Sequence, residues 1–513
     1  MSDKPQLQEQ SNYRPTYIST GIKGLDTVLN GGFLKGGFYL LEGDPGSGKT
    51  TVGLQYLLKR AQEGERVLYF AFAESRRDME MICGSHRWSL EKIELRELGQ
   101  AYSNPVDQST HSIFDPGETD LEDLIQTLVS EITRVNPSHV VLDGLSELRM
   151  LAGTPLRYRR QLLSLKLFSE QRHLTMLLLD NKISDREAFT HQPVVGATIR
   201  LEVTRPLYGR ARRRLTIEKV RSSEFQEGYH DYEIISGGVC VYPRVASLQA
   251  STHFKRTVCS SGLTNLDEMF KGGLVSGTAS VFIGPSGVGK STAAMQFVTN
   301  ALKQGLKAAV YTFDEVLTTF LERSEKLNWG GQNGALKPYL QEGRLRADQI
   351  DPAEITPGAF AQRVRDVVDE GASLVVIDSL NGYINAMPEE RFLSAHLHEL
   401  VSYLNKRNVV TILVVAQHGV LRGSVTDFNI SYLADSVLLF RYFESNDEIQ
   451  RGLTVFKNRT GAHEHTMRQL SISDTGISIG EPISGLARLA TGPLYEDAVA
   501  SDPSLYTAGL QGS

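Results

Sequence analysis

Short apolar runs alternate with amphipathic stretches along most of this chain. In the first half the runs are Tyr39-Leu40-Leu41, Val67 to Phe72, His139 to Asp143 and Leu174 to Asp180. In the second they are Val281-Phe282-Ile283, Ala308 to Phe313, Leu374 to Asp378 and Val409 to Val415. Between them lie segments of helical character, such as Thr51 to Ala61 and Leu121 to Val135. Continuous β-branched runs separated by helices predict parallel strands buried on both faces. Near the end of each half, Arg214 to Glu218 and Gly452 to Phe456 alternate and are flanked by turn residues, which predicts antiparallel hairpins at the sheet edge. The fold class is therefore α/β: two tandem domains, each a mostly parallel sheet flanked by helices.

The two halves are copies of one another. Gly21, Leu25, Asp26, Gly31, Gly32 and Gly36 recur 241 residues later as Gly262, Leu266, Asp267, Gly272, Gly273 and Gly277. A repeat this long is a whole domain rather than a solenoid unit. The expected organisation is a polar arm over 1–15, a first domain over 16–246, a second over 247–490 and a tail over 491–513. Residues 236–259 read as the linker between the domains.

Composition narrows the class without naming it. The chain has 513 residues, 41% hydrophobic and 22% charged, as expected of a globular protein with a large core. Its net charge of −6, from 54 Lys and Arg against 60 Asp and Glu, argues against coating nucleic acid or an anionic membrane by bulk electrostatics. The three cysteines, Cys83, Cys240 and Cys259, are scattered with no disulfide or zinc spacing. With no apolar leader or spanning run, this predicts a reducing, cytoplasmic location away from membranes.

The chemistry enters with two glycine-rich loops. Gly43-Asp44-Pro45-Gly46-Ser47-Gly48-Lys49-Thr50 and Gly284-Pro285-Ser286-Gly287-Val288-Gly289-Lys290-Ser291 each follow an apolar run and open a helical segment. That is the P-loop pattern in its strand–loop–helix context. The glycines let backbone N–H groups cradle phosphate oxygens, and the helix N-terminus adds positive potential. Lys49 and Lys290 would reach the β- and γ-phosphates, with Thr51 and Thr292 completing the nucleotide-binding set. The Thr50 and Ser291 hydroxyls would join a Mg²⁺ shell. Asp143 and Asp378 each end an apolar strand and are candidate Mg²⁺ carboxylates. Glu74 and Glu315 share the 241-residue offset at the tips of neighbouring strands, Glu315 with Asp314 beside it. A carboxylate there can take a proton from water or another hydroxyl attacking the γ-phosphate. The only tryptophans, Trp88 and Trp329, also share the offset and either line the nucleotide site or pack in the core. Lys219 with Arg221, and Lys457 with Arg459, follow late apolar strands. Such cation pairs can complete a neighbouring subunit's phosphate site or simply charge a strand edge. The basic run Arg210 to Arg214 reads as a solvated loop.

With these motifs in place, the sequence resembles the RecA-like ATPases and, within them, the KaiC family of double-domain circadian-clock ATPases. The resemblance covers roughly residues 16 to 490. It rests on the duplicated Ser/Thr-x-Gly-(x)₃-Leu-Asp lead, both P-loops, the strand-tip glutamates, both aspartates and the Lys-x-Arg pairs. It implies a hexameric double ring with ATP and Mg²⁺ between subunits, slow ATPase activity in the first domain and serine/threonine autokinase activity in the second. The segment Val425 to Asp435 resembles the family's phosphorylation segment, with Ser431 as acceptor, and Val455 to Arg459 its trans-acting strand. Three departures stand out. The family's adjacent glutamates are replaced by Ala73-Glu74 and Asp314-Glu315. Its Ser-Thr phosphorylation pair is replaced by Ser431-Tyr432, which leaves one acceptor. The acidic end of the chain does not resemble the family's basic partner-binding tail, which argues against a KaiA-like partner and leaves a KaiB-like one open.

Two other classes compete. A DNA-handling RecA-type motor is disfavoured by the duplicated site, the negative charge and the lack of a basic-aromatic loop. A scaffold that uses ATP only to assemble is disfavoured by the retained Glu74, Glu315, Asp143 and Asp378.

Overall fold

The computed structural model describes residues 16–98, 116–182, 194–207, 209–221, 223–245, 256–327, 336–351, 353–385, 393–417, 433–445, 448–474 and 476–483. The chain forms two compact units, one running to Arg244 and the other from Val245 and including residues 208–210.

In the first unit nine strands form one sheet: β1 (Phe38–Gly43), β2 (Val67–Ala71), β3 (Glu94–Glu97), β4 (His139–Asp143), β5 (Thr175–Asn181), β6 (Ala197–Thr204), β7 (Arg212–Val220), β8 (Tyr229–Ile235) and β9 (Gly238–Tyr242). Their order across the sheet is β3-β2-β4-β5-β1-β6-β7-β8-β9. The second unit repeats it with β10 (Ala279–Gly284), β11 (Lys307–Thr312), β12 (Leu345–Gln349), β13 (Ala372–Asp378), β14 (Val410–Ala416), β15 (Ser436–Ser445), β16 (Glu448–Asn458), β17 (Arg468–Ser473) and β18 (Gly476–Pro482), in the order β12-β11-β13-β14-β10-β15-β16-β17-β18. The first six strands of each order pair in parallel and the last three antiparallel. This is the α/β class expected from the hydrophobic pattern.

Burial on both faces explains the continuous apolar runs. On β1, Tyr39 and Leu41 point into one core with Leu54 and Leu57 of the P-loop helix, while Phe38 and Leu40 point into a second core with Leu124, Leu128 and Leu162. The duplicated lead is a structural turn. Asp26 accepts from the Ser19 hydroxyl at 2.5 Å and the Thr20 amide at 2.8 Å, and Asp267 repeats this with Ser260 at 2.5 Å and Ser261 at 2.7 Å.

Part of the expected linker is a strand. Gly238–Tyr242 pairs antiparallel with β8 through a turn in which Gly237 and Gly238 take φ of 101° and 113°. The Val-Cys-Val run buries Val239 and Val241 against the core, so the hydrophobic effect outweighs the loop composition around it. Arg212 to Arg214 likewise lie on β7 rather than in a loop.

Candidate active site

The first candidate site forms where the C-terminal ends of β1, β4 and β5 converge, the position at which open α/β sheets bind ligands. After β1 the chain turns through Gly46 and Gly48, whose φ values of 77° and 95° lie in the left-handed region that favours glycine. The helix Lys49–Gln62 starts directly behind. A side chain on Gly48 would meet Ile234 at 2.6 Å, so only glycine fits between the loop and that strand. The Tyr232 hydroxyl pins the loop from beneath by donating to the Ser47 carbonyl at 2.7 Å. The second loop has the same build, with Gly287 and Gly289 at φ 75° and 108°, the helix Lys290–Lys303 and Ile472 behind Gly289.

Lys49 donates to the carbonyls of Gly43 at 2.9 Å and Asp44 at 3.1 Å, its ammonium folded back over the loop. Burial lowers its pKa, and Asp143, Asp180, Asp44 and Glu74 oppose that shift. Asp143, at the end of β4, accepts on one oxygen from Thr50 at 2.8 Å and from Tyr69 at 2.6 Å. Burial raises its pKa, against the pull of those hydroxyls and of Lys49. In the second unit Lys290 donates to the Pro285 carbonyl at 2.6 Å, and the Ser291 hydroxyl is bonded to Asp378, whose pKa burial also raises.

Glu74 lies just beyond β2, half-buried, on the wall of a cavity of about 420 Å³ shared with Lys49, Thr50, Asp143 and Glu147. Burial raises its pKa, reinforced by Asp143 and Glu147. The corresponding Glu315 is held differently. Arg323 grips both of its oxygens, Nε at 3.1 Å and Nη2 at 2.8 Å. Asp314 accepts from the Ser379 hydroxyl.

The residues fit a magnesium–nucleotide group. Among the described residues no three His, Cys, Asp or Glu gather as an all-protein metal cage. What each site offers is one strand-end aspartate in contact with one hydroxyl at a phosphate-binding loop. This suits Mg²⁺, which keeps several waters and takes its remaining ligands from phosphates.

The family model described as "ATPase: KaiC" matches residues 18–246 and again 259–484. The chain belongs to the KaiC ATPase family. It is similar to circadian clock protein KaiC3 of Synechocystis sp., 24% identical over 485 residues covering 93% of this chain and 94% of that one. It is also similar to the circadian clock oscillator proteins KaiC of Parathermosynechococcus lividus (23% identical, 92% and 87% covered) and Thermostichus vulcanus (24%, 96% and 95%). This KaiC-family chain is thus an ATP-binding P-loop ATPase with two nucleotide domains.

The cation pairs lie away from their own P-loops. Val220, next to Lys219 and Arg221, pairs with Ala197, and Ala197 pairs with Tyr39 near the start of β1. Lys457 pairs with Val437, which pairs with Val281 near the start of β10. The P-loop opens at the other end of β1, about 13 Å along the strand at the usual rise per residue. Lys457 donates to the Ala434 carbonyl at 2.8 Å. Trp88 packs against the first core and against His86 rather than in the cavity. Trp329, Tyr432 and the candidate acceptor Ser431 lie outside the described residues.

Several side chains here were not expected from the sequence. Tyr69 bonds Asp143, Arg149 pairs with Asp180 at the end of β5, Arg323 holds Glu315, and Glu147 lines the first cavity. Arg323 had a legible signal, because its counterpart 241 residues earlier is Ile82, a charge present in one copy only. No membrane-crossing helix occurs among the described residues.

Proposed function

We propose that this KaiC-family protein hydrolyses ATP mainly in its first domain and phosphorylates itself on Ser431 in its second, as a cytoplasmic homo-hexamer with ATP and Mg²⁺ between subunits. The observation that carries the hydrolytic reading is the placement of Glu74 on the wall of the cavity that holds Lys49 and the Thr50–Asp143 pair. Lys49 and the loop amides bind the β- and γ-phosphates. Thr50 and Asp143 in the first domain, and Ser291 and Asp378 in the second, would hold the Mg²⁺, which would supply neutralisation of charge on the phosphate oxygens. Glu74 orients a water and takes its proton as the water oxygen bonds to the γ-phosphorus. The bond from that phosphorus to the bridging oxygen breaks, its electron pair leaving with ADP. Burial raises the proton affinity of Glu74, as a general base requires.

In the second domain Glu315, with Asp314 beside it, takes the proton of the Ser431 hydroxyl, which replaces water as the nucleophile. Arg323 on both oxygens of Glu315 supports a lower hydrolytic rate there. The distance of Lys219, Arg221, Lys457 and Arg459 from their own P-loops supports their action on a neighbour's γ-phosphate, and hence the oligomer. The relatives' names as circadian clock proteins support a signalling role, with a KaiB-like protein as candidate partner.

Incubation with γ-labelled ATP tests the whole reading, following released phosphate and label on the protein together. Phosphate release without label on residues 424–435 would leave an ATPase without this kinase activity. No turnover at all would leave an ATP-assembled scaffold.

A further inference from the structure

The two sites differ at three positions that exchange together. The residue before the strand-tip glutamate is Ala73 in the first unit and Asp314 in the second. The residue after the β4 or β13 aspartate is Gly144 in the first and Ser379 in the second. The third residue of the helix that follows is Glu147 in Leu145–Ala152 and Gly382 in Leu380–Asn385.

These differences describe one carboxylate supplied from two directions. In the second unit it comes from the strand tip: Asp314 accepts from Ser379, and a side chain on Gly382 would meet Asp314 Oδ1 at 2.5 Å. In the first unit Ala73 leaves the strand tip without one. The Glu147 carboxylate comes back from the helix instead. It lies where a side chain on Gly144 would be, 2.7 Å from the Cβ such a residue would carry, and accepts from the Ser146 hydroxyl at 3.0 Å. Both Glu74 and Glu147 line the same cavity.

We infer that Glu147 is a positioning residue for ATP hydrolysis in the first site, supplying there the second carboxylate that Asp314 supplies in the second. It acts beside Glu74, which takes the proton, and holds that base and the attacking water in line. A carboxylate in this place adds to the proton affinity of Glu74, whose pKa is raised first by burial, then by Asp143, and further by Glu147. Ala73, the counterpart of Asp314, offers no such charge. The inference rests on the reading of Glu74 as the base of this site.

The test uses the full chain carrying Glu315→Gln, so that phosphate release reports the first site. Glu147→Gln and Glu147→Gly are each expected to lower kcat about 10- to 100-fold, the scale of misplacing a reacting group by about 1 Å, with the KM for ATP within about twofold. Ala73→Asp combined with Glu147→Gly moves the carboxylate to the strand tip, as in the second site but without the Ser379 hydroxyl, and is expected to recover part of the lost rate, which a merely structural role for Glu147 would not allow. Turnover at the parent rate in both single variants overturns the inference, as does a loss that Ala73→Asp does not relieve. Glu74→Gln in the same background separates the two levels. If it leaves phosphate release unchanged, the underlying reading of the site fails. If it slows release while the Glu147 variants do not, only the role of Glu147 falls.

Discussion

Arg323 holds Glu315 by two hydrogen bonds, 3.1 and 2.8 Å long, whereas the equivalent position of the first repeat is Ile82, an apolar residue packed on the first core. A guanidinium on both oxygens turns the carboxylate toward Arg323 and competes with an attacking water for it. Arg323→Ile, made in a Glu74→Gln background so that the first site is silent, is therefore expected to raise phosphate release by about tenfold, a part of the 10²–10⁴ that a freed general base contributes. Steady-state phosphate release measures it, and an unchanged rate would mean that the pair is only structural.

Glu74→Gln keeps the shape of the cavity and removes the proton acceptor. Turnover is expected to drop by about 10²–10⁴-fold with nucleotide affinity preserved, since Lys49, Thr50 and Asp143 are untouched. Calorimetric ATP binding alongside phosphate release distinguishes this from a site that no longer binds.

Asp143 gives a trade between stability and ligand binding. Burial places its folded pKa above the unfolded one, so its favourable contribution to the fold is present in the protonated form at acid pH and is lost as pH rises through the folded value. Asparagine keeps an acceptor for Thr50 and Tyr69 and carries no charge to desolvate. Asp143→Asn is expected to melt higher than the parent near pH 7 without nucleotide, by about 2–4 °C, with the gap closing toward pH 4. The stabilisation by Mg²⁺ and ATP should shrink in the same variant. Thermal denaturation across pH, with and without nucleotide, reads both effects.

The remote cation pairs make a mixing prediction. Arg221→Ala chains retain Glu74, and Glu74→Gln chains retain Arg221. Each alone is expected to hydrolyse slowly in the first domain. Equal mixtures should recover about a quarter of the parent rate, the share of random head-to-tail contacts that join two intact contributions. A mixture no faster than its parts would place Arg221 outside any neighbour's site.

Ser431→Ala is expected to abolish label transfer from γ-labelled ATP to the protein while leaving phosphate release by the first domain within about twofold, because the two reactions use different P-loops. Phosphopeptide mapping of residues 424–435 is the measurement.

The parallel core was legible because its strands are buried on both faces and read as uninterrupted apolar runs. The P-loops were legible because backbone geometry at a phosphate demands glycine at particular spacings, as Gly46 and Gly48 show with their left-handed φ values. Strand β9 was less legible, since its five residues sit in a glycine-rich stretch and Val239 and Val241 gain their burial in a core built from residues distant in sequence, such as Leu54. Glu147 and Arg323 were hidden for a related reason. Each lies a helical turn or more from the motif it serves, and side-chain reach across a cavity is set by tertiary packing. Comparing the two halves position by position would have exposed both, because each is a charge that one copy has and the other lacks.

The crowding at Gly144 also constrains how such a chain can change. At φ 119°, a side chain there would press on Glu147 Oε2 at 2.7 Å and on Phe72 at 2.8 Å. A serine like that of the second half is therefore unfavourable there, through its φ and Phe72 as well as through Glu147, and losing Glu147 before position 73 changes leaves the site without the second carboxylate. Two of the three single steps, the serine at 144 and the loss of Glu147, therefore pass through a worse site. The three positions are epistatic, and each half is held in its own sequence solution although both descend from one duplicated domain.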